Sequence, residues 1–201
     1  MASAAILAGG RATRFGGRDK SALVVDGRSI LERQLDELAR LTDDVMIVGA
    51  SNGPAKPCSS AAKVRQVADR VPGRGPLGGL DAALASARDD ALVVVACDMP
   101  FVTADLLAHL LSYAPEADAV VPCTERGYHP LCAVYTRRCQ EAIRRRLAAG
   151  QLQVRGLFED VRISVVTVRA LEVFGDPRRL LANVNTREEH EALQARPCHE
   201  V

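Results

Sequence analysis

The sequence predicts an α/β fold, a mostly parallel sheet with helices packed on it. Two observations carry that prediction. Apolar runs of strand length, at Ala4–Leu7, Val45–Val48 and Ala91–Cys97, alternate with segments whose leucines recur at helical spacing. The connections between them are brief, and strand–helix–strand units pair in parallel through crossover helices. A chain of 201 residues, 48% hydrophobic and 25% charged, has enough apolar surface for one large core. The expectation is a single domain over residues 1–201 with a frayed tail at 196–201.

In chain order, Ser3–Lys20 is the most informative stretch. A buried strand breaks into Gly9-Gly10, carries Arg11 and Arg14, turns again at Gly16-Gly17 and ends on Lys20. Glycine lets backbone N–H groups approach oxygen atoms, and the cations neutralise charge, so the stretch reads as a polyphosphate loop. It is not a P-loop, because Arg18-Asp19 separate Gly17 from Lys20-Ser21. Next come an extended piece at Leu23–Val25, a turn at Asp26-Gly27, and a helix opened by the capping box Ser29/Glu32 and ending near Leu41. Val45–Val48 and Lys63–Val67 follow as strands. Ligands of parallel sheets sit beyond the carboxyl ends of the strands, so Gly9, Ser51 and Asp69 are expected on one edge. Asp69 there is either a cap or turn residue or a ligand contact.

Gly73, Gly75 and Gly78 match a dinucleotide fingerprint, with Asp98 20 residues further on. The glycines start four residues after Asp69 and enclose Pro76, which favours a glycine loop opening a helix at about Leu80–Ser86. Ala91–Cys97 should be the central strand, ending at Asp98 with Pro100 stopping it. A carboxylate at that tip needs a cation, and Mg²⁺ fits because it takes few carboxylates plus phosphate oxygens. Thr103 caps the next helix, so Asp98 is not needed as a cap. His109 on that helix is expected to be exposed.

Strands are expected at Ala119–Val121, Leu131–Tyr135 and Ile163–Val168, with Glu125–Tyr128 as a loop and Gln153–Glu159 as an uncertain helix. His129-Pro130 is either a substrate contact or a strand-entry turn. The arginine-rich helix Arg137–Leu147 reads as a solvated face, since the net charge is +1 and aromatic residues make up 3%. Asn183 and Asn185 flank Val184 and put both amides on one side of an extended segment before a terminal helix. Six cysteines show no C-x-x-C pair, and Cys97 and Cys132 read as buried small hydrophobes. With no basic leader and no run of about 18 apolar residues, the reading is a soluble cytoplasmic protein.

Five motifs in order, LAGG-x-x-x-R-x-G-G-x-x-K at 7–20, GPLGGL at 75–80, CDMPF at 97–101, HPL at 129–131 and NVNT at 183–186, resemble the molybdenum cofactor guanylyltransferases. That resemblance implies a three-layer Rossmann-like domain of the nucleotide-diphospho-sugar transferase type, with helices on both faces. It implies transfer of GMP from GTP to molybdopterin or its molybdenum form, with Mg²⁺ as cofactor. Leu7, Ala8, Gly9, Gly10, Lys20 and Asp69 would bind the nucleotide. Asp98 would hold the metal, and Lys20, Arg14 and Asp98 would be catalytic. Gly78, Gly79, His129, Asn183 and Asn185 would lie on the pterin side. Transient contact with cofactor-insertion proteins or acceptor molybdoenzymes belongs to the same expectation; nucleic acid and membrane do not. One position departs: relatives carry asparagine against the guanine where Val48 stands here, with Asn52 as a substitute from the next loop. A cytidylyltransferase is therefore the nearest alternative. A non-catalytic nucleotide-binding cofactor carrier and a dehydrogenase are the alternatives from other classes.

Overall fold

The computed structural model describes residues 1–8, 24–25, 27–49, 64–71 and 73–184. The strands are β1 (Ala2–Leu7), β2 (Val24–Val25), β3 (Arg28–Ser29), β4 (Val45–Val48), β5 (Arg65–Val67), β6 (Ala91–Ala96), β7 (Ala119–Thr124), β8 (Gly127–Tyr128), β9 (Cys132–Thr136) and β10 (Ile163–Thr167). The helices are α1 (Ile30–Ala39), α2 (Gly75–Ser86), α3 (Ala104–Ser112), α4 (Gln140–Ala148), α5 (Val168–Leu171) and α6 (Pro177–Leu180). The main sheet runs β10-β7-β9-β6-β1-β4-β5, with β8 paired to β7. Every neighbour along that path pairs in parallel except β9, which is antiparallel to both β6 and β7. The expected mostly parallel sheet is therefore observed, with β6 in the middle.

The two faces of the sheet bury separate apolar layers, as strand alternation requires. Ala4 and Ile6 join Leu35 and Leu38 of α1 and Leu106, Leu107 and Leu110 of α3. Ala5 and Leu7 join Met46, Val48, Leu77 and Leu80 of α2 and Ile143 of α4. The three-layer arrangement follows directly.

Several elements begin where their side chains dictate. Ser29 Oγ accepts from Glu32 N at 3.2 Å while Ser29 N donates to the Glu32 carboxylate at 3.0 Å, the predicted capping box. Gly27, at φ +79°, turns β2 into β3. Thr103 caps α3 through Leu106 N. Helix α2 departs from expectation: it starts at Gly75, not Leu80, with Pro76 in its first turn, where the missing N–H costs nothing. Gly78 and Gly79 are thus helical. The dinucleotide reading fails because the last glycine of its pattern lies inside a helix rather than in a tight strand–helix turn.

Two further expectations are corrected or sharpened. His109 is not exposed. Its ring packs against Tyr113 and Phe174 at centroid distances of 5.3 and 5.1 Å, with Nε2 buried. The reason is that Phe174, in the turn at Glu172–Phe174 that was unforeseen in sequence, covers the His109 ring on that side of α3. The arginines of α4 and of the turn before it are held by neighbours: Arg138 pairs with Asp118 at 2.7 Å, Arg144 with Asp81 at 3.5 Å, and Arg145 with Glu141 at 3.0 Å, while Arg146 bonds Asp160 and Glu159. A nucleic-acid surface would need these charges for phosphates.

At the amino edge of the sheet, Asp44 is 5% exposed and ties four segments together. Ser3 Oγ donates to it at 2.7 Å, Arg88 N at 3.1 Å, and Arg65 at 2.6 and 3.0 Å. Burial pushes the Asp44 carboxyl up, but these hydrogen bonds and the Arg65 charge outweigh it and hold it below its ordinary range. A carboxyl lowered in the folded state stabilises fully above its ordinary value and loses that contribution as pH falls through the folded one. Asp44→Asn is expected to cost about 2–3 kcal/mol, below the usual cost of breaking a fully buried pair because Arg65 remains partly exposed. Thermal unfolding at pH 7 and in steps below pH 4 checks this: the variant should melt lower at neutrality and show a flatter acid limb.

Candidate functional site

Because β1, β4, β5, β6, β7 and β10 all run the same way, their carboxyl ends share one edge. Leu7 pairs with Val48 on one side and Ala96 on the other, and Ala8 N donates to the Val48 carbonyl at 2.7 Å. The start of the predicted phosphate loop therefore lies beside the end of β6. Gly9, Gly10, Arg14 and Lys20 lie outside the described residues, as do Ser51, Asn52 and Asn185.

Asp69, just past β5, does not cap α2, whose N-cap is Arg74. A methyl built on Gly79 would lie 3.7 Å from Asp69 Oδ1 and 3.5 Å from Leu7 Cδ2. Leu7, Asp69 and the first turns of α2 thus converge. Gly78 is fixed by a closer approach, since a methyl there would sit 2.6 Å from Arg74 Cβ. Burial pushes the Asp69 carboxyl above its ordinary range.

Asp98 is half-buried at the tip of β6. It sits in the turn Ala96–Met99, closed by Met99 N donating to the Ala96 carbonyl at 3.3 Å. The Asp98 carbonyl accepts from Val184 N at 2.8 Å, which seats the exposed Asn183 next to this turn. On the other side, Gln34 Nε2 of α1 donates to the carbonyls of Ala96 (2.7 Å) and Met99 (2.9 Å). Leu7, Ala8, Asp69, Gly79, Asp98 and Asn183 therefore all border one edge.

Beyond β7 and β10 the same edge opens into a cavity of about 350 Å³, lined among others by Thr124, Arg126, His129, Glu172, Arg178 and Leu181. The short β7–β8 hairpin, expected as a loop, and the reversal into β9 carry His129 here. Its Nε2 lies 2.8 Å from Thr124 Oγ1. Burial, helped by Arg126, pulls the imidazole below its ordinary value, so it is neutral at pH 7. The sequence reading missed Gln34 and the α5–α6 segment. Gln34 had a signal: it is a polar residue on the buried stripe Ile30–Gln34–Leu38.

Among the described residues no three His, Cys, Asp or Glu side chains gather as a protein-made metal cage. A single strand-tip carboxylate fits a magnesium ion shared with phosphate oxygens, the form in which that ion is usually held. Cys97, Cys123, Cys132 and Cys139 form no disulfide, and burial pushes the thiols of Cys132 and Cys139 up to about 12. No helix among the described residues is long and apolar enough to cross a membrane.

A doubly wound sheet with these groups along its carboxyl edge defines a nucleotide-handling α/β domain. Residues 4–165 match the model of the MobA-like NTP transferase domain, and the chain belongs to that family. It is 34% identical to a molybdenum cofactor guanylyltransferase of Desulfosudis oleivorans over 94% of this chain and 93% of the other. A probable molybdenum cofactor guanylyltransferase of Pelotomaculum thermopropionicum is also 34% identical, over 92% and 88%. Among solved structures, the molybdopterin-guanine dinucleotide biosynthesis protein A of Archaeoglobus fulgidus superposes with a TM-score of 0.78 and 25% identity, covering 96% of each chain. The protein is an enzyme of the nucleotidyltransferase class.

The His129 shift has a direct check. NMR titration of the imidazole should give a midpoint below the usual ~6.5, and Arg126→Ala should move it part of the way back. A group lowered in this way stabilises the fold above its ordinary value and less as pH falls through the folded one.

Proposed function

We propose that the protein transfers the guanylyl group of GTP to the terminal phosphate of molybdopterin or its molybdenum form, yielding the guanine dinucleotide cofactor and pyrophosphate. The observation that carries this reading is the half-buried Asp98 at the tip of the central strand, beside the start of the glycine loop, in a chain related over nearly its full length to guanylyltransferases. Residues 1–201 act as one catalytic domain.

The acceptor phosphate attacks the α-phosphorus of GTP in line. A new P–O bond forms, the bond to the bridging oxygen breaks, and pyrophosphate leaves with the electron pair. A phosphate monoester is already anionic near neutrality, so no general base is required. The difficulty is bringing two anions together, which calls for positioning and charge neutralisation. Asp98 holds Mg²⁺, which when bound offsets triphosphate charge. Lys20, Arg14 and the amides of Gly9 and Gly10 receive the phosphates, and Leu7, Ala8 and Asp69 border the nucleotide.

The acceptor lies toward the cavity beyond β7, with His129, Asn183 and Asn185 on its side. Gly78 and Gly79, expected there from the resemblance, sit instead in α2, whose first turns border Leu7 and Asp69 on the nucleotide side. The cavity combines carboxylates at Glu172 and Asp176 with the cations Arg126 and Arg178. Carboxylates match the paired N–H donors of a pterin ring, and arginine matches its phosphate. Guanine preference rests on the relatives. Val48 is 1% exposed and packed in the core, so its side chain offers the base no hydrogen bond. The working environment is the cytoplasm, with molybdoenzymes or insertion proteins as transient recipients.

Asp98→Ala is expected to lower turnover at least 100-fold, about 2.7–4 kcal/mol in the transition state by analogy with a lost oxyanion donor, with the fold intact by circular dichroism. Pyrophosphate release measured with GTP, CTP and ATP in the presence of molybdopterin should favour GTP. Preference for CTP would make the protein a cytidylyltransferase, and no release with any nucleotide would end the enzymatic reading.

A further inference from the structure

Asp98 is one of the two central residues of the turn that ends β6, and the turn is held at both ends by one side chain. The amide nitrogen of Gln34 has two hydrogens, and both are directed at this turn, to the Ala96 carbonyl at 2.7 Å and the Met99 carbonyl at 2.9 Å. Gln34 is 3% exposed, and its Oε1 is buried without a hydrogen-bond donor. An unsatisfied buried acceptor costs about 1–3 kcal/mol. Methionine or leucine would continue the stripe of Ile30 and Leu38 without that penalty. The same change would leave the Met99 carbonyl without its amide donor, a penalty of the same kind, so fold stability does not decide for the amide, whereas a fixed turn requires it.

The opposite side of the turn is held as well, by Val184 N donating to the Asp98 carbonyl at 2.8 Å. The carbonyls of residues 96, 98 and 99 are thus engaged from two directions. Rotating the Asp98–Met99 peptide plane breaks the bond from Val184 N to the Asp98 carbonyl and the bond from Met99 N to the Ala96 carbonyl, and with them the direction in which the carboxylate leaves the strand.

We propose that Gln34 is a positioning residue for nucleotidyl transfer: its carboxamide locks the Ala96–Met99 turn, so that Asp98 presents its carboxylate to the metal–triphosphate in one orientation. The proposal rests on the reading of Asp98 as the metal-holding carboxylate. Gln34 touches neither substrate nor metal and acts through the turn.

Gln34→Met keeps side-chain length and removes both donors. Expected are a kcat lowered about 10–100-fold, the range seen when a supporting partner of a metal ligand is lost, and a matching loss of Mn²⁺ affinity for the protein–GTP complex by electron paramagnetic resonance. KM for GTP should stay close to wild type, and the variant should remain fully folded at the assay temperature, since the unpaired Oε1 removed offsets the Met99 carbonyl left without its donor. Wild-type kcat and Mn²⁺ affinity would overturn the proposal, as would a kcat loss that simply follows a lowered melting temperature. Should Gln34→Met not fold, Gln34→Glu supplies the readout. Its neutral carboxyl keeps one donor and its ionised form none, so activity should fall with rising pH where wild type is level. A superimposable pH profile overturns the clamp. Asp98→Asn alongside separates the two ideas: wild-type turnover there removes the metal-ligand reading and the clamp with it. An inactive Asp98→Asn beside a wild-type Gln34→Met removes the clamp alone.

Discussion

Six residues of β1 pair in register with six of β6, from Ala2 with Ala91 to Leu7 with Ala96. That register decides where the chemistry falls, because it brings the exit of β1 level with the turn that carries Asp98. A slip of one residue would displace Asp98 by about 3.3 Å along the strand and exchange the two faces of β1. The faces are not interchangeable. Ala4 and Ile6 belong to the layer under α1 and α3, and Ala5 and Leu7 to the layer under α2 and α4. Hydrophobic packing on both sides therefore fixes the position of a carboxylate that contributes nothing to either layer.

The two edges of the sheet treat charge in opposite ways. At the amino edge, burial works against Asp44 and Asp118, yet hydrogen bonds and guanidinium groups win, and both carboxyls lie below their ordinary range. These are structural ion pairs. At the carboxyl edge burial prevails: Asp69 is pushed up and His129 pulled down, each toward its neutral form. An edge that penalises its own charge gains most when a ligand supplies the opposite charge, which is what perturbed groups at binding sites commonly reflect.

Much of this was legible in the chain. The continuous apolar run at Ala91–Cys97 announced a strand buried on both faces, and the Ser29/Glu32 box announced the start of α1 almost to the residue. The start of α2 was misplaced because glycine and proline normally argue against helix; here Pro76 falls in the first turn and Gly78 and Gly79 are needed for close approach. His109 was misread because part of its cover comes from Phe174, some 65 positions away, in a turn that carries no strong period of its own. Gln34 illustrates a different limit. Its place on an apolar stripe was visible, but its partners at Ala96 and Met99 exist only once the sheet has formed.

The reversal of β9 explains why the edge can serve two substrates. In a wholly parallel sheet each strand presents only its exit at the carboxyl edge. β9 runs against β6 and β7, so its entry, His129 to Leu131, lies there instead, and Ala96 N donates to the Leu131 carbonyl at 2.7 Å. The edge is thereby divided. Leu7, Asp69 and α2 occupy the half toward β5, while His129, Thr124 and the α5–α6 segment enclose a cavity in the half toward β10. Asp98 stands between them, tied to the second half through Val184. A group transferred from a nucleotide to a second phosphorylated molecule must cross such a boundary. The topology puts the acid at the crossing point before any side chain is chosen to fill it.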